Sequence, residues 1–239
     1  MAERLAARSE LQVTLSLAGR TAAPARQPVP VRSGGFGGAA GLADYLRREH
    51  VDILVDATHP YAGGISANAC AAARMRNVRF VALRRPPWVG VTGDHWTEVE
   101  EMSDAVRALG PVPRRVLVTL GRNELAPLAQ APLHHYLIRS VDPVDPPLRL
   151  LHAVYVTGRG PFAEADERAL MRAHGIEVVI AKNSGGSATY GKIAAARALG
   201  IEVIMLCRPS LPEAPSVETV EDVLAWLDHA PTSAAARGV

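Results

Sequence analysis

Short runs of β-branched and leucine-rich residues alternate along this chain with alanine-rich stretches of helical character, and that alternation restricts the fold more than any other feature. Most of the runs are apolar throughout instead of alternating, which suits strands covered by helices on both faces of a mostly parallel sheet. Strands are predicted over 11–17, 51–55, 78–83, 116–120, 136–139, 153–157, 178–181 and 203–207, and helices over 42–49, 64–76, 103–109, 164–174, 187–199 and 220–229. With 239 residues, 48% of them hydrophobic, the chain can bury one large core or two modest ones. The stretch Gly110-Pro111-Val112-Pro113 points to two, because a glycine and two prolines cannot continue the helix before them. Two α/β domains are therefore predicted, over 1–110 and 111–239. The prolines of Asp142-Pro143-Val144-Asp145-Pro146-Pro147 predict an extended connector, and the small polar residues 231–239 a mobile tail.

Several classes of function are disfavoured. The 26 basic and 24 acidic side chains leave a formal charge of +2, far from the footprint of a nucleic-acid binder. An anionic ligand must then be caught by local arginines. Cys70 and Cys207 fit no metal-ligand spacing and are expected to be buried fillers. His134 and His135 have no carboxylate or cysteine at ligand spacing, and neighbours in a strand point to opposite faces, so no metal is expected. No signal peptide and no apolar run of about 18 residues is present, which predicts a soluble cytoplasmic protein. A G-x-S-x-G nucleophile elbow is also lacking.

In open α/β sheets ligands sit beyond the carboxyl ends of the strands, so the residues just after each run are the ones to question. Leu17-Ala18-Gly19-Arg20-Thr21 ends a strand in a glycine and an arginine. In a dinucleotide fold such an arginine can pair with a ribose 2′-phosphate and select NADPH over NADH, although a solvated arginine after a turn has the same sequence. Ser33-Gly34-Gly35-Phe36-Gly37-Gly38 precedes a helix and leaves backbone N–H groups available for an anion; a plain flexible turn is the alternative. Asp56-Ala57-Thr58-His59-Pro60-Tyr61 packs polar groups around a proline at a strand end, a candidate ligand contact. In Thr157-Gly158-Arg159-Gly160-Pro161-Phe162 an arginine between glycines can aim at a carboxylate while Phe162 forms an apolar wall. Lys182-Asn183-Ser184-Gly185-Gly186-Ser187 leads into a helix. Residues 186–192 read G-x-x-x-x-G-K, but Ile193 stands where a phosphate-binding loop needs a magnesium-binding hydroxyl. Lys182 and Asn183 are expected to face a ligand and Lys192 to lie on a helix face.

Taken in order, AGRT (18–21), GGFGG (34–38), DATHPYA (56–62), SANA (66–69), RRPPW (84–88), HHYL (134–137), RGPF (159–162), KNSGG (182–186), AAR (195–197) and RP (208–209) resemble the precorrin-6A reductase family. The resemblance covers almost the whole chain, and DATHP, RGPF and KNSGG in this order are its most specific parts. It implies a monomer of two Rossmann-like three-layer domains, the first binding NADPH, with cofactor and macrocycle meeting in an interdomain cleft. The implied reaction is that of an oxidoreductase in cobalamin biosynthesis. Hydride from the nicotinamide and a proton at the adjacent ring carbon reduce one double bond of precorrin-6A to give precorrin-6B. No metal is implied. The nearest variants are a cobalt-precorrin-6A reductase using NADH and a catalytically silent tetrapyrrole-binding module.

On this reading Arg20, Thr21, Gly34, Gly35, Phe36, Thr58 and His59 contact the cofactor. Arg85, Arg159, Gly160, Phe162, Lys182, Asn183, Gly185 and Gly186 contact the substrate. His59, Tyr61 and Lys182 are the catalytic candidates, with water as a rival proton source and positioning as the main contribution to rate. Family members also begin with a strand and a GGTxEA loop that cradles the pyrophosphate, whereas Met1-Ala2-Glu3-Arg4-Leu5 resembles the helix that follows it. The first strand and phosphate loop are therefore expected to be missing from the first domain, through a start assigned too late.

Overall fold

The computed structural model describes residues 1–19 and 25–229. In chain order these form α1 (Ala2–Ala6), β1 (Leu15–Leu17), β2 (Val31–Ser33), α2 (Gly38–Arg48), β3 (Ile53–Asp56), α3 (Gly63–Arg76), β4 (Arg79–Leu83), β5 (Trp96–Val99), α4 (Met102–Ala108) and β6 (Arg115–Val118). After two short 3-10 turns at Arg122–Glu124 and Ala126–Gln130 come β7 (His135–Ser140), β8 (Ala153–Thr157), α5 (Glu164–Ala173), β9 (Val178–Lys182), α6 (Gly191–Leu199), β10 (Glu202–Leu206), β11 (Ser216–Val217) and α7 (Val220–Asp228). Local chemistry sets many of the ends. Asn77 and Gly200 close α3 and α6 in the left-handed conformation, at φ of 53° and 67°. Thr219 caps α7 by accepting from the Asp222 N–H, while the Asp222 side chain reaches back to the Thr219 N–H.

The chain divides into two compact units. The first comprises residues up to Arg85 together with those from Ser210 onward, and the second runs from Pro86 to Pro209. The break expected at Gly110 lies inside the second unit. There Gly110, at φ +75°, turns the chain from α4 towards β6, and β5, which precedes it, pairs with β10 of the same unit. A proline-rich turn ends a helix wherever it falls; strand pairing decides which core that helix serves.

The second unit holds a six-stranded parallel sheet in the order β5-β10-β9-β6-β7-β8. Read from β8 inward, this is the 3-2-1-4-5-6 order of a doubly wound sheet, its sixth place filled by a strand from earlier in the chain. Leu117, Leu137, Val179 and Met205 from the strands pack with Met171 of α5 and Ile193 of α6. In the first unit β1 pairs with β2, and β11-β4-β3 form a separate parallel sheet. Leu42, Ala43 and Leu46 of α2 meet Ala69 and Ala72 of α3 in its core. The small residues allow these helices to approach closely. Ile53, Leu54 and Val55 are only partly buried, since β3 ends its sheet among the described residues.

β2, β5 and β11 carry no predicted strand. All three are edge strands of two to four residues, with exposed polar positions and too few apolar ones to form a run. Cys70 is buried as expected, but Cys207, just past β10, is only partly so; both are free thiols. Residues 231–239 lie outside the described residues.

Gly41, inside α2, offers a test of this packing. A Cβ there would lie 1.8 Å from the Phe36 carbonyl oxygen. The roughly 1 kcal/mol that alanine gains as a helix former cannot offset an overlap with main chain. Gly41→Ala is expected to destabilise the first unit by about 1–3 kcal/mol, read as a lowered thermal midpoint.

Candidate functional site

In the first unit the expected ligand loops fall at the carboxyl ends of parallel strands. β1 and β2 run in register with Leu17 opposite Ser33, which brings the glycines after each strand together: a Cβ on Gly19 would lie 3.4 Å from Gly34. Arg32 secures the second loop by donating to the Gly34 and Gly35 carbonyls at 2.6 and 2.7 Å, and its guanidinium lies 3.7 Å over the Phe36 ring. Gly37, in the left-handed conformation, leads into α2 without any side-chain cap, and space is open around Gly34, Gly35, Gly37 and Gly38. An uncapped helix N-terminus that main chain and ligand can both approach fits a phosphate of a dinucleotide. Arg20 and Thr21 lie outside the described residues.

After β3, buried Asp56 accepts from the Thr58 N–H at 3.1 Å and so closes an Asx turn. The Thr58 hydroxyl lies 3.1 Å from that of buried Ser66 on α3, which explains why DATH and SANA belong to one structural unit. His59 is exposed; its Nδ1 accepts from the Tyr61 N–H at 3.3 Å, and the two rings lie 5.6 Å apart. In the neutral ring this places the proton on Nε2. Arg85, exposed, follows β4 at the end of this part of the unit.

The second unit contains a cavity of about 670 Å³, within the range of small-molecule sites. Pro87, Trp88, Phe162 and Tyr190 form its apolar sides, and Gly186 and Glu164 also line it. Three separate segments meet here, and each is tied down. The Asn183 side chain spans the Trp88 main chain, accepting from its N–H at 2.7 Å and donating to its carbonyl at 2.9 Å. The Trp88 indole N–H donates to the Gly186 carbonyl at 2.9 Å. Arg208 donates to the Asn183 carbonyl at 2.7 Å and to the Pro86 carbonyl at 3.1 Å. Phe162 is held by its N–H to the Ala188 carbonyl at 3.1 Å and by Gly191, where a Cβ would lie 2.3 Å from the Phe162 carbonyl oxygen.

Beneath this surface, Arg139 of β7 pairs through both guanidinium nitrogens with the Glu167 carboxylate of α5, one contact at 2.9 Å, and lies 3.9 Å over the Phe162 ring. Lys192 of α6 is buried, and that burial, with Arg139 nearby, lowers its ammonium to about 8. Lys182, at the end of β9, pairs with Glu124 from the segment after β6, so the switch point of the sheet carries an ion pair. His134 is buried, its Nδ1 accepting from the Arg114 N–H at 3.2 Å, while exposed His135 stacks on His152. No His, Cys, Asp and Glu group suited to a metal occurs among the described residues.

The structure thus brings Phe162 and Gly186 to one cavity, with Asn183 and Gly185 in its support. Arg159 and Gly160 lie in the exposed turn leading to Phe162. Trp88, Tyr190, Glu124, Arg139 and Glu167 carry no sequence expectation as site residues. Trp88 stands within RRPPW and Glu124 four residues past the strand predicted over 116–120; the Arg139–Glu167 pair joins a strand and a helix and has no local signal. No helix among the described residues is long and apolar enough to cross a membrane.

A doubly wound parallel sheet with its glycine-rich loops at the carboxyl ends of the strands defines an α/β protein of the Rossmann-like class. Residues 1–228 match the family model of Precorrin-6x reductase CbiJ/CobK. A precorrin-6A reductase from Sinorhizobium sp. is 53% identical over 229 residues, covering 96% of this chain and 88% of its relative. A cobalt-precorrin-6A reductase from Priestia megaterium is 26% identical over 193 residues, covering 77% and 75%. A solved structure of CobK precorrin-6A reductase superposes with a TM-score of 0.92 at 46% identity, over 100% of this chain and 94% of the other. The chain belongs to the precorrin-6x reductase family.

Proposed function

We propose that this chain reduces one double bond of precorrin-6A with NADPH, yielding precorrin-6B and NADP⁺ in cobalamin biosynthesis. The observation that carries this reading is the 53% identity to a precorrin-6A reductase across nearly the full chain. Identity to the cobalt-precorrin-6A reductase is half of that, which favours the metal-free substrate. The protein is read as a monomer acting in the cytoplasm.

The uncapped α2 terminus, Gly34, Gly35 and Phe36 suit the cofactor phosphates, and Thr58 and His59 the same ligand from the next strand end. Arg20 and Thr21 are assigned to the 2′-phosphate. Bound there, the reduced nicotinamide supplies hydride to a ring carbon. The residues of this chain orient both partners and deliver a proton to the adjacent carbon, for which His59, with its Nε2 proton, Tyr61 and Lys182 are the candidates. Arg85, Arg159, Gly160, Phe162, Asn183, Gly185 and Gly186 are assigned to the macrocycle. The Asn183 side chain would act by holding Trp88 in place, and Phe162 by forming an apolar wall. Lys182 is also assigned to the macrocycle, its ammonium positioned by the ion pair with Glu124.

The test is consumption of NADPH, followed at 340 nm, with precorrin-6A present and absent. Oxidation only in its presence, faster than with NADH, is expected. Tetrapyrrole binding without any NADPH consumption would leave a silent binding module, and turnover of cobalt-precorrin-6A alone would transfer the chain to the other branch.

A further inference from the structure

The cavity of the second unit has two buried cations behind its aromatic sides, and neither of them lines it. Lys192 is 5% exposed; its Nζ donates to the Thr189 carbonyl at 2.8 Å and lies 5.2 Å from the centroid of the Trp88 ring. Arg139 is 9% exposed and lies against Phe162. The charged groups that act on Lys192 are Arg139 from β7 and Glu167 from α5. Glu167 is already the bidentate partner of Arg139, so these three groups leave one positive charge without a buried counter-charge. Lys192 also sits in the first turn of α6, the positive end of that helix, where the macrodipole adds to its potential instead of cancelling it. The carboxylate at the cavity, Glu164, is exposed and lies 3.6 Å from Arg168.

A cation held against an indole ring in a poorly screened interior makes the aromatic wall attractive to anions as well as to flat apolar surfaces. We propose that Lys192 is a positioning residue of this cavity: its ammonium, held against Trp88, supplies the positive charge that draws the carboxylates of a flat polyacid onto the aromatic wall. This rests on the tetrapyrrole reading above and adds the residue that gives the wall its charge preference. Burial, and secondarily Arg139, hold the ammonium near 8 in the free protein, while Glu167 opposes the shift. A ligand that requires the charged form then binds about tenfold more weakly at pH 9 than at pH 7.

The experiment uses the full chain and uroporphyrin, a flat polycarboxylate tetrapyrrole, with affinity read from quenching of tryptophan emission at pH 7 and 9. Wild type should lose about tenfold in affinity between the two. Lys192→Met should bind about tenfold more weakly than wild type at pH 7 with no further loss at pH 9. Lys192→Arg, charged throughout, should restore binding and abolish the pH dependence. With precorrin-6A as substrate, Lys192→Met should raise KM and leave kcat within about twofold. If Lys192→Met binds as wild type does, or Lys192→Arg keeps the wild-type loss at pH 9, the role of Lys192 is overturned while the tetrapyrrole reading stands. A wild type that binds no porphyrin at either pH overturns both. Should Lys192→Met fail to fold, the pH dependence of Lys192→Arg decides alone.

Discussion

Exchange of Glu167 for alanine is expected to destabilise the protein by about 3–5 kcal/mol, one of the largest effects of any single substitution in this chain. Glu167 is 2% exposed, and its carboxylate is the buried counter-charge of Arg139. Without it the guanidinium stays in the interior unpaired, and its repulsion from Lys192 is no longer opposed, since Glu167 is the group that raises the lysine. The thermal midpoint should fall by on the order of 10 °C for a chain of this size. The double variant Arg139→Met, Glu167→Leu removes both charges and should retain most of the stability. Urea melts of the two variants beside wild type provide the measurement. A single variant that melts like wild type would show that the pair is not buried in solution.

Gly185→Ala should damage function more than any other glycine exchange in the second unit. Gly185 sits at φ +65°, and a Cβ there would lie 2.1 Å from the Pro86 carbonyl oxygen and 2.5 Å from an Arg208 nitrogen. The left-handed backbone alone costs an alanine about 1–2 kcal/mol. The overlap with Pro86 adds a displacement, because the atom it meets is main chain. That displacement passes directly to Trp88 and Asn183, which share hydrogen bonds with this segment. A shift of about 1 Å in a positioning element can lower kcat/KM by about 100-fold, and a loss of that size is expected with precorrin-6A. Gly200→Ala is the control: its φ of +67° is nearly the same but nothing lies within 4 Å, so it should lower stability by about 1–2 kcal/mol and leave turnover intact. Equal behaviour of the two would remove the steric argument.

The buried strands of the second unit were legible because a strand covered on both faces must be apolar along its length. His135–Ser140 and Val178–Lys182 stand within a residue of their expected limits. α6 begins at Gly191, four residues later than expected, because Ser187 to Tyr190 form a turn closed by the Tyr190 N–H on the Ser187 carbonyl at 3.1 Å. The strand-end loops stood out through their glycines, and the structure places Phe162 and Gly186 together at a cavity. What the chain does not announce is partnership at long range. Asn183 and Lys182 read as ligand groups, and the structure adds that Asn183 braces Trp88, ninety-five positions away, and that Lys182 pairs with Glu124. Polar residues beside glycine satisfy a neighbouring backbone as readily as a ligand, and local sequence does not distinguish the two. The two units differ from the division expected at Gly110 for a related reason: β5, before that turn, pairs with β10 after it, and β4 pairs with β11 near the end of the chain, pairings that no turn composition records.

The late arrival of β11 has a consequence for synthesis. β4 emerges from the ribosome early, yet the strand that covers its edge follows only after the whole of the second unit has been made. The second unit can therefore close its sheet while the first still exposes an unpaired strand, a template for wrong partners. A chain released before Ser216 lacks β11 and leaves Ala82 and Leu83 without it, so nascent molecules cut short near their end should aggregate even though their second core is complete.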